Sequence, residues 1–408
     1  MNLVKRVTLF IAIITILVGC AKSPSSNSVI ENVTEKSNVE ESGNLETQTT
    51  VEETTSKEET ISKESTSETT TKESTTETTS KEITEDTAAK ESTTQETTKE
   101  IVTEETTKNN KKKRKGLSVQ GTNLVDSSGK IVTLRGVSTH GLSWFPQYVN
   151  KDAFKCMRDE WNVNTIRLAM YTAEYNGYCV GDENNRQALI ELVDNGVNYA
   201  TELGMYVIID WHILSDNNPN IYKNQSIEFF DKVSKKYSKN TNVIYEICNE
   251  PNGDTSWEEI KSYAVDVIDT IRKNDRDAVI IVGTPTWSQC VDQTAASPID
   301  RENIMYALHF YADTHRDDLR NKMVNAINSG LPVIVSEFGI CDASGNGNVN
   351  IEEANKWMQV IKQHKVSYVI WNLSNKQESS ALINSSCNKV SGWTKDDLSE
   401  SGKWFVLK

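Results

Sequence analysis

Residues 242–251 read NVIYEICNEP, a near-continuous apolar and β-branched run that ends on Cys248, Asn249, Glu250 and Pro251. Such runs are what parallel strands covered on both faces require, because neither face meets water. The same form recurs on either side of it: VNTIRLA from Val163, MYVIID from Met205, AVIIVG from Ala278, NIMYALH from Asn303, PVIVSEF from Pro332 and SYVIWNL from Ser367. Longer stretches with helical spacing lie between them, such as NRQALIELVDNGVNYATEL from Asn185 and SWEEIKSYAVDVIDTIRK from Ser256. With IVTLRGV from Ile131 as the first, eight strands alternate with helices. The expected fold class is α/β, a (β/α)8 TIM barrel, which fits eight such units better than an open doubly wound sheet does. Ahead of it, LSVQGTNLVDSSGKIVTLRGV reads as an N-terminal β-hairpin, two strand-like runs around Ser127-Ser128-Gly129.

The barrel is confined to residues 117–408 by composition. From Ile11 through Ser143 there is no Phe, Trp or Tyr, while all 9 tryptophans lie between Trp144 and Trp404. A segment without large apolar side chains cannot repay its ordering entropy. Residues 1–20, MNLVKRVTLFIAIITILVGC, place Lys5 and Arg6 ahead of an apolar run too short for a bilayer span, which needs about 20 residues. This is the pattern of an export signal. Its LVGC ending resembles a lipoprotein box with Cys20 as the lipidated first mature residue, the alternative being an ordinary secretory signal. An extracellular, membrane-anchored or secreted location is expected.

Residues 21–116 form the expected linker. It is rich in Thr, Ser and Glu, and Lys63, Lys72, Lys81, Lys90, Lys99 and Lys108 recur at a fixed spacing with no apolar periodicity beside them. A disordered, acidic tether is the reading, closed by a basic KKKRK at 111–115. The whole chain carries a formal net charge of −14, so nucleic acid is not an expected partner. Removing Cys20 leaves six cysteines, whose spacing proves no disulfide, and no CxxC or HExxH appears, so no metal and no cofactor are expected.

In a (β/α)8 barrel, catalytic groups gather at the C-terminal ends of the strands. Read in order, the expected strand ends carry His140, Arg167, Asp210-Trp211-His212, Asn249-Glu250, His309 and Tyr311, Glu337, and Trp371-Asn372. Three of the chain's 5 histidines are among them. Glu250 and Glu337 end strands three barrel positions apart and would face one another across the mouth. Singly, each could merely cap or pair locally. As a pair with different proton affinities they suit hydrolysis of a glycosidic bond, one donating a proton while the other attacks. Arg167 is placed to hold one of them anionic.

The motifs GVSTHGLSW, TIRLAMY, DWHIL, YEICNEPNG, ALHFYA, SEFG and WNLSNKQESSA resemble, in order and spacing, the bacterial cellulases of glycoside hydrolase family 5, over essentially all of 117–408. The resemblance implies a retaining endo-β-1,4-glucanase with Glu250 as acid/base and Glu337 as nucleophile. It implies that Arg167 and Tyr311 orient the nucleophile, that His309 contacts the acid/base, and that Asn249 binds the sugar 2-hydroxyl. His140, His212 and Trp371 would line the same subsite, and Trp144, Lys376 and Glu378 the glycone cleft beyond it. Phe338 and Asn375 depart from the family's usual Trp and Asp, which bears on preference at the cleft. The expected partner is a β-glucan chain met by a monomer. Other β-glycans (β-mannan, mixed-linkage glucan, xyloglucan) remain open on the same frame, as does a non-catalytic glycan-binding surface protein.

Two further signals are weaker. DASGNGNVNIEE from Asp342 fits much of a calcium-loop pattern, but a strand rather than a helix precedes it. His315 and His364 read as helix-surface residues.

Overall fold

The computed structural model describes residues 116–408. The signal-like segment with Cys20 and the Thr/Ser/Glu-rich stretch to residue 115 lie outside the described residues. Two short antiparallel strands, β1 (Ser118–Gln120) and β2 (Asn123–Val125), precede eight parallel strands. These are β3 (Arg135–Thr139), β4 (Thr165–Tyr171), β5 (Tyr206–His212), β6 (Val243–Glu246), β7 (Val279–Val282), β8 (Ile304–Tyr311), β9 (Val333–Gly339) and β10 (Tyr368–Leu373). Each pairs with the next and β10 pairs with β3, closing a (β/α)8 barrel.

The hairpin differs from its expected form. The turn between its strands falls at Gly121-Thr122, where Gly121 takes a positive φ of 60° that a side chain would resist. The Ser127-Ser128-Gly129 turn, closed by the Asp126 carboxylate accepting from Ser128, joins β2 only to a single bridge between Val125 and Ile131. The first barrel strand accordingly starts at Arg135 rather than at Ile131.

Helices cover the barrel: α1 (Lys151–Glu160), α2 (Glu183–Glu202), α3 (Lys223–Tyr237), α4 (Trp257–Asn274), α5 (Val291–Ala296), α6 (Asp317–Asn328), α7 (Ile351–Gln363) and α8 (Glu400–Val406). Their starts follow local chemistry. Ser256 and Glu259 form a reciprocal capping box at α4, and Asn150, Asp182 and Asn350 cap α1, α2 and α7 with side-chain oxygens.

Alternation along the strands sorts the side chains. In β5, Val207 and Ile209 join the cluster beneath the helices while Ile208 joins the barrel interior; in β6, Tyr245 faces out and Ile244 in. The same period places Arg167, Asp210 and Glu246 inside, above that apolar layer. β9 breaks the rule. Ile334 to Glu337 spans the same register as Ala307 to His309 in β8, and Val335 to Phe338 the same as Tyr368 to Ile370 in β10. β9 therefore carries one extra residue, a bulge that lets Val335 and Phe338 both pack outward.

Candidate active site

Glu337 leaves this bulge pointing into the mouth of the barrel, and Glu250 reaches it from the segment after β6. Carboxyl oxygens of the two and a ring nitrogen of His309 all lie within 4.8 Å of one another. The two acids have different surroundings. Tyr311 Oη donates to Glu337 Oε1 at 2.8 Å, and Arg167 Nη1 donates to Oε2 at 3.2 Å. Among the described residues Glu250 Oε1 has only His309 Nδ1, at 2.8 Å, whose Nε2 lies 3.0 Å from Ser336 Oγ.

Burial pushes Glu250 up to about 8 despite the downward pull of Arg167. Glu337 is also raised, by burial and then by the Glu250 carboxyl, with His309 and Arg167 opposing. Because two charge-assisted donors favour the Glu337 anion and none of comparable strength favours that of Glu250, the pair is poised with the proton on Glu250. Burial lowers His309 to about 4, and His140 and His212 to about 3, so all three imidazoles are neutral.

Arg167 uses all its donors. Nε binds Glu246 Oε2 at 2.7 Å, Nη1 binds Ser138 Oγ and Glu337, and Nη2 binds Asn249 Oδ1 at 2.7 Å and Asp210 Oδ2 at 3.0 Å. Burial would lower its pKa, but Asp210, Glu246 and Glu337 raise it. Asn249 is oriented by this network, since its Nδ2 donates to the Ile213 carbonyl at 3.0 Å.

An aromatic wall continues the cleft. Trp371 stacks on His212 at 5.1 Å and His140 on Trp144 at 5.4 Å, with Tyr171 edge-on to His212 at 4.6 Å. Lys376 Nζ lies 2.6 Å from Glu378 Oε2 and 5.7 Å from the Trp144 ring, and Asn372 donates to Glu378 Oε1 at 2.9 Å. The cleft encloses about 520 Å³. It is lined by His140, His212, Glu250, His309, Tyr311, Glu337, Trp371, Lys376 and Glu378, so these expected residues share one space, with Arg167 and Asn249 buried beneath it. Cys20 lies outside the described residues.

Several expectations change. Trp211, read at the rim, faces outward against Phe229 and Tyr178. Phe338 also faces the helices, stacked on Phe310, and so does not touch the cleft. His315 is not on a helix surface: it lines the cleft from the loop before α6, its Nδ1 accepting from the Tyr311 backbone at 2.8 Å, and His364 caps the end of α7. The Asp342 loop is closed on itself, with Asp342 Oδ1 accepting from the Ser344 amide and hydroxyl, while Glu353 is engaged by Arg320 and Lys356 on the helices. All six cysteines of the described residues are free thiols.

Trp287 and Gln289, which no sequence motif singles out, both line the cleft. Trp287 sits where Thr286, Trp287 and Ser288 all have positive φ, a conformation that no local sequence signal marks. The cis peptide between Trp371 and Asn372 is equally silent in sequence. Glu250, His309 and Glu337 are the one group of potential metal-binding side chains this close among the described residues. His309 is engaged through both ring nitrogens and Glu337 through both oxygens.

A family model described as cellulase (glycosyl hydrolase family 5) matches residues 125–377. The chain is 51% identical over 291 residues to endoglucanase A of Butyrivibrio fibrisolvens, covering 71% of this chain and 67% of that one. It is 47% identical over 293 residues to an endoglucanase of Clostridium saccharobutylicum, covering 72% and 64%. It thus spans only about two-thirds of these relatives' length. Among solved structures, the catalytic domain of Thermobifida fusca endoglucanase Cel5A in complex with cellotetraose aligns with a TM-score of 0.68 at 37% identity, over 71% of this chain and 96% of that one.

Proposed function

The chain belongs to glycosyl hydrolase family 5, and from that membership we propose that it is a retaining endo-β-1,4-glucanase acting on internal bonds of cellulose and related β-glucans. One observation carries the reading: the two buried carboxyls approach within 4.8 Å but are unequally hydrogen-bonded, and a short separation, about 5–5.5 Å between the carboxyl groups, is the one that suits double displacement.

In this reading Glu250 is the acid/base and Glu337 the nucleophile. Glu337 attacks the anomeric carbon while Glu250 gives its proton to the glycosidic oxygen. The carbon–oxygen bond to the leaving chain breaks, and a glycosyl ester to Glu337 forms. Glu250, now a carboxylate, takes a proton from water as the water oxygen displaces Glu337, restoring both groups with net retention. His309 suits both steps as the tautomer whose Nδ1–H donates to Glu250 Oε1 while Nε2 accepts from Ser336 Oγ, because this leaves Oε2 free for the travelling proton. Asn249 meets the 2-hydroxyl, while Trp371, His140 and His212 line the same sugar. Trp144, Lys376 and Glu378 take the glycone beyond it. Trp287 comes from β7, opposite β3 in the ring of strands, and takes the aglycone.

The enzyme works as a monomer outside the cell, held to the membrane by a lipid on Cys20. The charged start, apolar run and LVGC sequence support that location. Incorporation of labelled fatty acid that Cys20→Ser leaves unchanged would overturn it.

The activity is tested by reducing-sugar release from carboxymethylcellulose, barley β-glucan and mannan by the full chain and its Glu337→Gln variant. Cleavage of carboxymethylcellulose, lost in the variant, supports the reading. Cleavage of mannan alone would reassign the substrate, and an active Glu337→Gln would overturn the nucleophile.

A further inference from the structure

Beneath the carboxyl pair, Asp210 and Glu246 are register partners on β5 and β6, both fully buried, and both bind one guanidinium. Arg167 takes one oxygen from each, Asp210 Oδ2 at 3.0 Å and Glu246 Oε2 at 2.7 Å. The remaining oxygens, Asp210 Oδ1 and Glu246 Oε1, are buried without a hydrogen-bond partner among the described residues. Counting Glu337, three carboxyls surround a single cation. Adjacent carboxylates with unpaired oxygens in a low-dielectric interior are costly, and the cost falls when they share a proton.

We propose that the Asp210–Glu246 pair retains one proton, so that it carries a single negative charge and sets how much of the Arg167 field remains to stabilise ionised Glu337. Both are positioning residues acting through Arg167. Asp210 acts also through His212, whose Nδ1 lies 2.6 Å from Asp210 Oδ2 and whose Nε2 faces Asn249 Nδ2 at 3.3 Å. Burial raises Asp210 to about 7 against the pull of Arg167, in keeping with a retained proton.

The titratable groups facing the pair are Arg167 of β4, His212 of β5, Cys248 and Glu250 after β6, His309 of β8 and Glu337 of β9. Burial keeps both histidines and the Cys248 thiol neutral, and Glu250 protonated below about 8. The charge balance around Arg167 at neutral pH is therefore decided by the pair and Glu337.

The inference rests on Glu337 being the nucleophile, and its test separates the two ideas. Asp210→Asn and Glu246→Gln each replace the shared proton with an amide hydrogen and leave the pair at one negative charge. Neither should move the acid limb of kcat/KM, whatever happens to kcat. The double variant leaves the pair neutral, and the limb should fall by about one pH unit, because removing a negative neighbour eases ionisation of Glu337. Infrared spectra of the full chain, which do not depend on turnover, should show a protonated-carboxyl band lost in each single variant. A limb displaced by either single variant, or no band lost in either, overturns the shared proton in favour of two ionised groups bridged by water. Should the double variant not fold, the single variants and the band decide alone.

Discussion

Tyr311 Oη and Glu337 Oε1 are 2.8 Å apart, and among the described residues this bond and that from Arg167 hold the Glu337 carboxylate in the barrel mouth. A hydrogen bond to a charged acceptor is worth about 1.5–3 kcal/mol. Tyr311→Phe should therefore lower kcat/KM by roughly ten- to a hundredfold. It should also move the acid limb of the pH profile upward, since the anion loses a donor that favours it. Steady-state kinetics across pH measure both, and a loss of rate with an unmoved limb would show that the phenol acts on something other than the charge of Glu337.

The acid/base role proposed for Glu250 predicts a second pH effect. Burial raises Glu250 to about 8, and a general acid must carry its proton, so kcat/KM should fall as pH rises through that value. Stability has the same sign. Between its ordinary value near 4.5 and about 8, the folded state holds a proton that the unfolded state has released, so stability declines with rising pH across that window. Glu250→Gln removes the titration. Denaturant midpoints of variant and wild type should diverge in the variant's favour from pH 5 to pH 8; parallel midpoints would place the Glu250 pKa near that of a solvated glutamate.

Gly283, just after β7, approaches the segment that carries Glu250 closely. A methyl group there would lie 2.4 Å from the Cys248 carbonyl oxygen, 2.9 Å from that of Asn249 and 2.8 Å from Pro251 Cδ. These atoms flank Glu250 and cannot yield without moving it. Gly283→Ala should cost about 1–3 kcal/mol of stability, as overpacking does. It should also reduce kcat more than it changes KM. A folded variant with wild-type kcat would mean that the segment shifts without carrying Glu250 along.

These residues also show what sequence can and cannot convey. Eight apolar runs of similar length are legible because parallel strands bury both faces, and strand ends carrying His, Asn, Glu and Trp point to the mouth. Glu246 and Asp210 lie in the same quoted motifs, but their approach to Arg167 depends on inter-strand register, which no single strand encodes. The bulge at Ser336-Glu337 needs two neighbouring strands to be detected at all. Trp287 is held by backbone torsions, Trp287 N to Pro251 O at 2.9 Å and Ser288 Oγ to Asn249 O at 2.7 Å, and TPTWSQ reads as an ordinary loop. The hairpin turn is misplaced for a related reason: Gly121 and Gly129 both offer a turn, and only pairing partners decide between them.

Trp287, which lines the cleft, and Trp144, which borders it against His140 and Lys376, are half-exposed indoles, 44% and 41% accessible, on loops from opposite sides of the barrel. Trp144 is steadied by its Nε1 donating to the Tyr175 carbonyl at 3.0 Å and by Lys376 over its ring. If each stacks on a sugar ring, truncating either removes binding on the order of 1 kcal/mol, about a fivefold change, from one side of the scissile bond only. Trp287→Ala weakens the aglycone side, so a labelled cellopentaose should be cut nearer its reducing end than by the wild type. Trp144→Ala weakens the glycone side, and the cut should move the opposite way. Analysis of end-labelled products separates the cases directly, because a general loss of activity lowers both products in proportion, whereas lost subsites change their ratio. Shifts in the same direction for both variants would mean that one of the two indoles lies off the path of the chain.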